Sequence, residues 1–222
     1  MNTSIPPAGE TEIELAVNSE PRCPCNILAD CSGSMSGASI AELNAGLQEL
    51  KAKLVQDPLA CLRVELALVS FNSTSRIEVD FTSPDKFNPP TLTTGGGTAL
   101  GAAVLTGLGM LASRRAAYRS AGTPFYRPWL VLITDAEATD NTVEAARRVK
   151  EEESLKRVAF FGIGVRGANM TKLAELSLRP PLHLDGLRFC DLFEWLSVNL
   201  SSVAVSRPGE QVPLTPVTWN TV

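Results

Sequence analysis

The chain has 222 residues, 44% of them hydrophobic and 20% charged, enough for one well-buried domain and short for two. A net charge of −4 gives no compositional support to phosphate attraction, so nucleic acid is not an expected partner. No apolar run approaches the roughly 20 residues needed to cross a bilayer, so a membrane partner is not expected either.

The first twenty residues carry acids and prolines where a signal peptide carries lysines and an apolar stretch, which reads against secretion. Five cysteines (Cys23, Cys25, Cys31, Cys61 and Cys190) are an odd set in a chain with apolar content for a core, so they read as reduced thiols of a cytoplasmic protein. A single histidine, His183, leaves little material for a His-based metal site or a Ser-His-Asp triad.

In chain order, residues 1–20 form an expected arm with a strand-like patch at Ile13 to Val17. The apolar run Cys25 to Ala29 is a short strand that meets turn chemistry at Asp30-Cys31-Ser32-Gly33-Ser34. Ser39 with Glu42 reads as a capping box for a helix carrying Ile40, Leu43, Leu47, Leu50 and Leu54, which Asp57-Pro58 stops. Leu62 to Phe71 and Arg76 to Phe81 are two strands whose short Asn72-Ser73 connection requires an antiparallel hairpin. After a Pro-rich loop and Gly95-Gly96-Gly97-Thr98, Leu100 to Leu111 predicts a helix, and Arg114 to Arg127 a basic connection.

Trp129 to Thr134 is a continuous apolar strand ending at Asp135, followed by a helix that Asn141 and Glu144 are placed to cap. Val158 to Val165 is another apolar strand. A short helix at Lys172 to Leu176, a weak strand at Leu182 to Leu184 and an amphipathic helix from Phe189 to Val203 complete the domain. The Pro-containing tail, 206–222, either packs on the domain or holds a partner. Strands that alternate with helices and are apolar throughout predict an α/β doubly wound, three-layer, Rossmann-like domain over 21–205, mostly parallel with one antiparallel edge strand.

In such folds ligands sit outside the carboxyl ends of the strands, where strand order reverses. Asp30, Ser32, Ser34, Thr98 and Asp135 all fall at strand ends or helix starts on that edge. Singly, Asp30 and Asp135 read as turn residues or helix caps. Together, two carboxylates and three hydroxyls form an all-oxygen set suited to Mg²⁺, with Mn²⁺ or Ca²⁺ as alternatives, and leave a coordination position open. Gly95-Gly96-Gly97-Thr98 lacks the lysine of a phosphate-binding loop. Cys23-Pro24-Cys25 has no second cysteine pair at metal-binding spacing, and Cys31, Cys61 and Cys190 read as small apolar fillers. The arginines 114, 115, 119 and 127 are either a solvated helix end or a dock for an acidic partner, and Glu151-Glu152-Glu153 a solvent-facing run.

These residues resemble the metal-ion-dependent adhesion site of von Willebrand factor A domains: Asp30-Cys31-Ser32-Gly33-Ser34, Thr98 and Asp135, in that order. The resemblance implies Ser32, Ser34 and Thr98 as direct ligands, Asp30 and Asp135 as direct or water-mediated ones, and a partner's Asp or Glu in the open position. It also implies a binding module rather than an enzyme. Glu20 to Cys25, Arg115 to Gly122 and Tyr126 to Trp129 look like the bacterial TerY-like subgroup linked to tellurium resistance. That likeness implies a cytoplasmic stress-signalling scaffold with a Ser/Thr kinase and a metal-dependent phosphatase as partners. An accessory subunit of a chaperone-like AAA+ ATPase is the alternative setting. A Mg²⁺-dependent phosphohydrolase with Asp30 as nucleophile lacks the second carboxylate (position 32 is Ser) and the phosphate-binding lysine. The chain departs from the family pattern at Cys31, where Thr is commoner, and at Ala136, where Gly is usual. A redox role for Cys31 is a further expectation, since tellurium oxyanions react with thiols.

Overall fold

The computed structural model describes residues 18–217 and Trp219, apart from positions 136, 166 and 187. The strand-like patch at Ile13 to Val17 and the Ala136 turn lie outside the described residues. Six strands form one sheet in the order β3-β2-β1-β4-β5-β6. They are β1 (Cys23–Asp30), β2 (Val64–Phe71), β3 (Ser75–Thr82), β4 (Trp129–Thr134), β5 (Ala159–Gly164) and β6 (Leu182–His183). All neighbours run parallel except β2 and β3, the antiparallel hairpin at one edge.

Alternation along each strand sends side chains to two faces, and both faces are covered. Cys25, Ile27 and Ala29 of β1 face a core built with Leu43, Leu47 and Leu50 of α1 (Ala38–Gln56) and Phe193 and Leu196 of α6 (Phe189–Val205). Leu28 of β1, with Leu130 and Leu132 of β4, faces α3 (Leu100–Ser120), α4 (Val143–Ser154) and α5 (Met170–Ala174). A further short helix, α2 (Pro58–Arg63), joins α1 to β2.

Several local expectations need correction. Helix α1 starts at Ala38 with Gly37 (φ +79°) at its N-cap and no side-chain cap, so Ser39 already lies inside the first turn and the Ser39–Glu42 box does not form. Asp57 stops α1 and also caps α2, accepting from the amides of Leu59 at 3.0 Å and Ala60 at 3.1 Å; β2 therefore begins at Val64 rather than Leu62. Of the two expected caps of α4, Asn141 accepts from Val143 N at 2.9 Å, whereas Glu144 pairs with Arg147 at 2.7 Å. Helix α3 runs through Ser120, so Arg114 and Arg115 are helical and buried rather than a basic connection.

The reason is a charged cluster beneath the start of the strands. The Glu65 carboxylate accepts from Arg114 Nε at 2.7 Å and Nη2 at 2.8 Å and from the Tyr118 hydroxyl, and lies 3.4 Å from Arg22 Nε. All four side chains are buried. Removing one partner of such a set strands a buried charge, a loss of about 3–5 kcal/mol. Arg115 pairs with Glu152 at 2.7 Å, and Glu153 is buried where it accepts from Leu178 N at 2.8 Å, so the Glu151–Glu153 run is only partly a solvated face. Arg127 donates to Val158 O.

The segment after α6 packs on the domain. Asn199 of α6 exchanges two hydrogen bonds with Thr215, at 2.8 and 2.9 Å, and Trp195 Nε1 donates to Thr215 O at 2.8 Å. Trp219 is fully buried edge-on against Trp195, with ring centroids 5.8 Å apart.

Candidate metal centre

Strand order reverses between β1, which turns toward β2, and β4, which turns toward β5. The loops leaving β1 and β4 therefore diverge to opposite faces and leave a crevice at the carboxyl edge. Asp30 is the last residue of β1 and Asp135 follows the last residue of β4. Thr98 comes from the loop that enters α3.

Asp30 is fully buried, and both of its oxygens are held: Oδ1 accepts from Ser32 N at 2.8 Å and Oδ2 from the Thr134 hydroxyl at 2.6 Å. Burial raises its carboxyl above the ordinary value, the hydrogen bonds from Ser32 and Thr134 pull the other way, and the charge of Asp135 adds to the rise. The turn at 32–35 folds into a single 3₁₀ turn, Gly33–Met35, that points Ser32 and Ser34 the same way. Their hydroxyls share a hydrogen bond at 3.0 Å. Ser32 is buried and Ser34 exposed, so the pair spans from the protein interior to the surface.

Backbone hydrogen bonds tie the three loops together. Gly33 N donates to Gly96 O at 3.2 Å and Gly95 N to Cys31 O at 2.9 Å, joining the β1 turn to the glycine loop. Gly96 has φ +77°, and a Cβ there would sit 2.5 Å from Ser73 Oγ, so this position requires glycine. Thr139 N donates to Thr98 O at 2.9 Å, joining the glycine loop to the loop after β4. Asp135 itself accepts from Glu137 N at 3.3 Å through its side chain and from Asn169 N at 3.1 Å through its carbonyl.

The structure thus places all five sequence-derived residues on one edge. Asp30, Ser32 and Ser34 are in direct contact, Asp135 is near enough to act on Asp30, and Thr98 is joined to the others through main chain. Among the described residues no three His, Cys, Asp or Glu side chains converge as a metal cluster. The set here consists instead of two carboxylates and three hydroxyls. Its chemistry fits a hard cation: adjacent ligands of an octahedral Mg²⁺, each about 2.1 Å from the ion, lie about 3.0 Å apart, the spacing of the two serine hydroxyls. Two residues that contribute to this edge were not singled out in the sequence, Thr139 and Asp140. Asp140 accepts from Gly101 N at 3.0 Å and Ala102 N at 2.9 Å, and Thr139 Oγ1 accepts from Thr98 N at 3.0 Å. The only sequence signal was a Thr-Asp pair in a loop, which specifies no partner.

The cysteines lie apart from this chemistry, except Cys31. Cys23, Cys25 and Cys31 are buried, while Cys61 is half-buried and Cys190 exposed, so the last two are not core fillers. His183 is partly exposed, with Nδ1 3.2 Å from Asp185.

The sequence pattern of the von Willebrand factor type A domain matches residues 26–186. The human collagen alpha-6(VI) chain is 27% identical over 156 residues, which is 70% of this chain and 7% of the collagen chain. Among solved structures, proximal thread matrix protein 1 from the mussel byssus, described with a zinc-occupied MIDAS motif, superposes with a TM-score of 0.51 at 15% identity. That match covers 83% of this chain and 49% of the byssal protein. The ArnB paralog VWA2 from Sulfolobus acidocaldarius gives a TM-score of 0.55 at 18% identity, over 81% of this chain and 45% of that one. No helix among the described residues is long and apolar enough to cross a membrane.

Proposed function

Because this chain belongs to the von Willebrand factor type A domain family, we propose that its carboxyl edge holds a divalent cation and presents it to an Asp or Glu of a partner protein. Domains of this family are interaction modules rather than catalysts. The observation that carries the metal reading is the Ser32–Ser34 hydroxyl pair at 3.0 Å beside a buried Asp30. Ser32, Ser34 and Thr98 supply neutral oxygens, and Asp30 and Asp135 supply the charge. Since Thr134 and the Ser32 amide already occupy Asp30, its part is to orient bound water and balance the ion. The bound cation supplies the positive charge that captures the incoming carboxylate. Mg²⁺ is the first candidate, and the zinc described for the byssal relative adds Zn²⁺ to Mn²⁺ and Ca²⁺ as ions to compare.

The partner reading is finer. Two of the TerY-like segments, 20–25 and 126–129, meet at the opposite end of the strands, where Tyr126 N donates to Arg22 O at 2.8 Å. Their resemblance to that subgroup supports a cytoplasmic tellurium-resistance or stress scaffold, with a Ser/Thr kinase and a metal-dependent phosphatase as the partners to test first.

Isothermal titration of Mg²⁺ into chelator-stripped protein tests the site. A saturable single-site uptake is expected, lost in Asp30→Ala and weakened in the exposed-site variant Ser34→Ala, which guards against a folding artefact. At a hundredfold excess over Kd, bound ion should stabilise the fold by about 2.7 kcal/mol. Absence of heat and of any melting shift with millimolar Mg²⁺, Mn²⁺, Ca²⁺ and Zn²⁺ would overturn the reading. Pull-down of the kinase and phosphatase with Mg²⁺ and with EDTA tests the partners separately.

A further inference from the structure

Three side chains grip the start of α3 from outside it. Ala99 at the N-cap of α3 supplies no side-chain acceptor, so the first amides of the helix depend on other segments. Asp140 reaches across from the loop after β4 and takes two of them, Gly101 N on Oδ1 at 3.0 Å and Ala102 N on Oδ2 at 2.9 Å. Next to it Thr139 closes a reciprocal pair with Thr98, accepting from Thr98 N at 3.0 Å and donating its own amide to Thr98 O at 2.9 Å. From the β2–β3 turn, Ser73 Oγ accepts from Gly97 N at 2.9 Å. The segments touch closely enough that a Cβ on Gly101 would sit 2.5 Å from Asn141 O, and one on Gly97 would sit 3.0 Å from Thr139 Oγ1.

We propose that Thr139 and Asp140 are positioning residues of the cation site, a latch that fixes Thr98 relative to Asp135. This rests on the metal reading above and adds to it two residues that are not ligands. Thr139 and Asp135 belong to one loop, four positions apart, so anything that holds Thr98 to Thr139 also sets its place against Asp135. Both oxygens of Asp140 face helix amides, where the carboxylate also meets the positive end of the α3 dipole, which assigns it to the helix start rather than to the ion. Thr98 is 3% exposed and Thr139 is exposed, so any water that takes the place of the Thr139 hydroxyl is a mobile acceptor that does not tie Thr98 to the loop after β4.

The test is Mg²⁺ titration calorimetry on the full chain with Thr139→Val, Thr139→Ser and Asp140→Ala. Thr139→Val keeps the shape and loses the acceptor, and it should weaken Mg²⁺ binding about 10- to 100-fold, as removal of supporting hydrogen bonds does at metal sites. Thr139→Ser restores the acceptor and should bind within a few-fold of wild type. Asp140→Ala should weaken binding similarly. In metal-free protein the amides of Thr98, Gly101 and Ala102 should exchange faster with deuterium in these two weakened variants. Asp57→Ala, a cap lost from α2 on the far side of the sheet's end, should lower stability and leave Mg²⁺ affinity unchanged, separating positioning from general destabilisation. Wild-type affinity in Thr139→Val and Asp140→Ala would overturn the latch while leaving the metal reading standing. Failure of the wild-type chain to take up any cation would overturn the metal reading and the latch with it.

Discussion

At the scale of single residues, the thiols show how burial sets chemistry. Burial pushes the Cys23 thiol up to about 12, and Cys25 higher still. Cys31 also rises to about 12, first from burial and then from the neighbouring Asp30 charge. At pH 8 a thiol of that kind is on the order of 10⁻⁴ ionised, so it is a poor nucleophile. A thiol-reactive chromophore at pH 8 should therefore label Cys190 quickly and Cys61 more slowly in native protein, reaching the other three only in denaturant. Fast native labelling of Cys31 would revive a redox role that its burial argues against. That the five oxygen-bearing residues lie on one edge was legible because each follows the end of a strand or precedes the start of a helix, a signal carried within a few residues. Thr139 and Asp140 were not, because they act on backbone amides about 40 positions away (38 and 39 for the two bonds of Asp140, 41 for that of Thr139), a distance that no local pattern encodes.

At the scale of elements, Asp57 does two things at once. It ends α1, and its carboxylate, held below its ordinary value first by the Ala60 amide, starts α2. Asp57→Ala should cost about 1 kcal/mol in urea unfolding at pH 7. Because the folded carboxyl ionises more readily than the unfolded one, its contribution is present above the unfolded value and lost as pH falls through the folded one. The gap between wild type and Asp57→Ala should accordingly narrow below about pH 4, and a gap unchanged at pH 3 would contradict this. Strands were readable as continuous apolar runs because both faces of the sheet are covered. The C-terminal end of α3 was not readable, since two adjacent arginines look like a solvated terminus until Glu65, 49 residues earlier than Arg114, and Glu152, the partner of Arg115, are seen against them. The start of α1 was misplaced for a related reason: a glycine with positive φ, not a side-chain cap, opens it.

For the whole molecule, the tail belongs to the packed structure. Trp219 completes an aromatic stack with Trp195, Phe161 and Trp129 that bridges the C-terminal segment, α6, β5 and β4. Trp219→Ala should lower the free energy of unfolding by about 3 kcal/mol or more, read by urea titration. A loss under 1 kcal/mol would show that the tail only lies on the surface. From Pro24, opposite Glu65 in the register, to Asp30 the strand β1 extends about 20 Å. The ionic clasp of Arg22, Glu65 and Arg114 thus anchors one rim of the sheet while the oxygen cluster occupies the other. The stabilising clasp and the proposed recognition site are segregated to opposite poles. If the proposed site holds, loops at that pole can be exchanged for new partner preferences on an unchanged chassis.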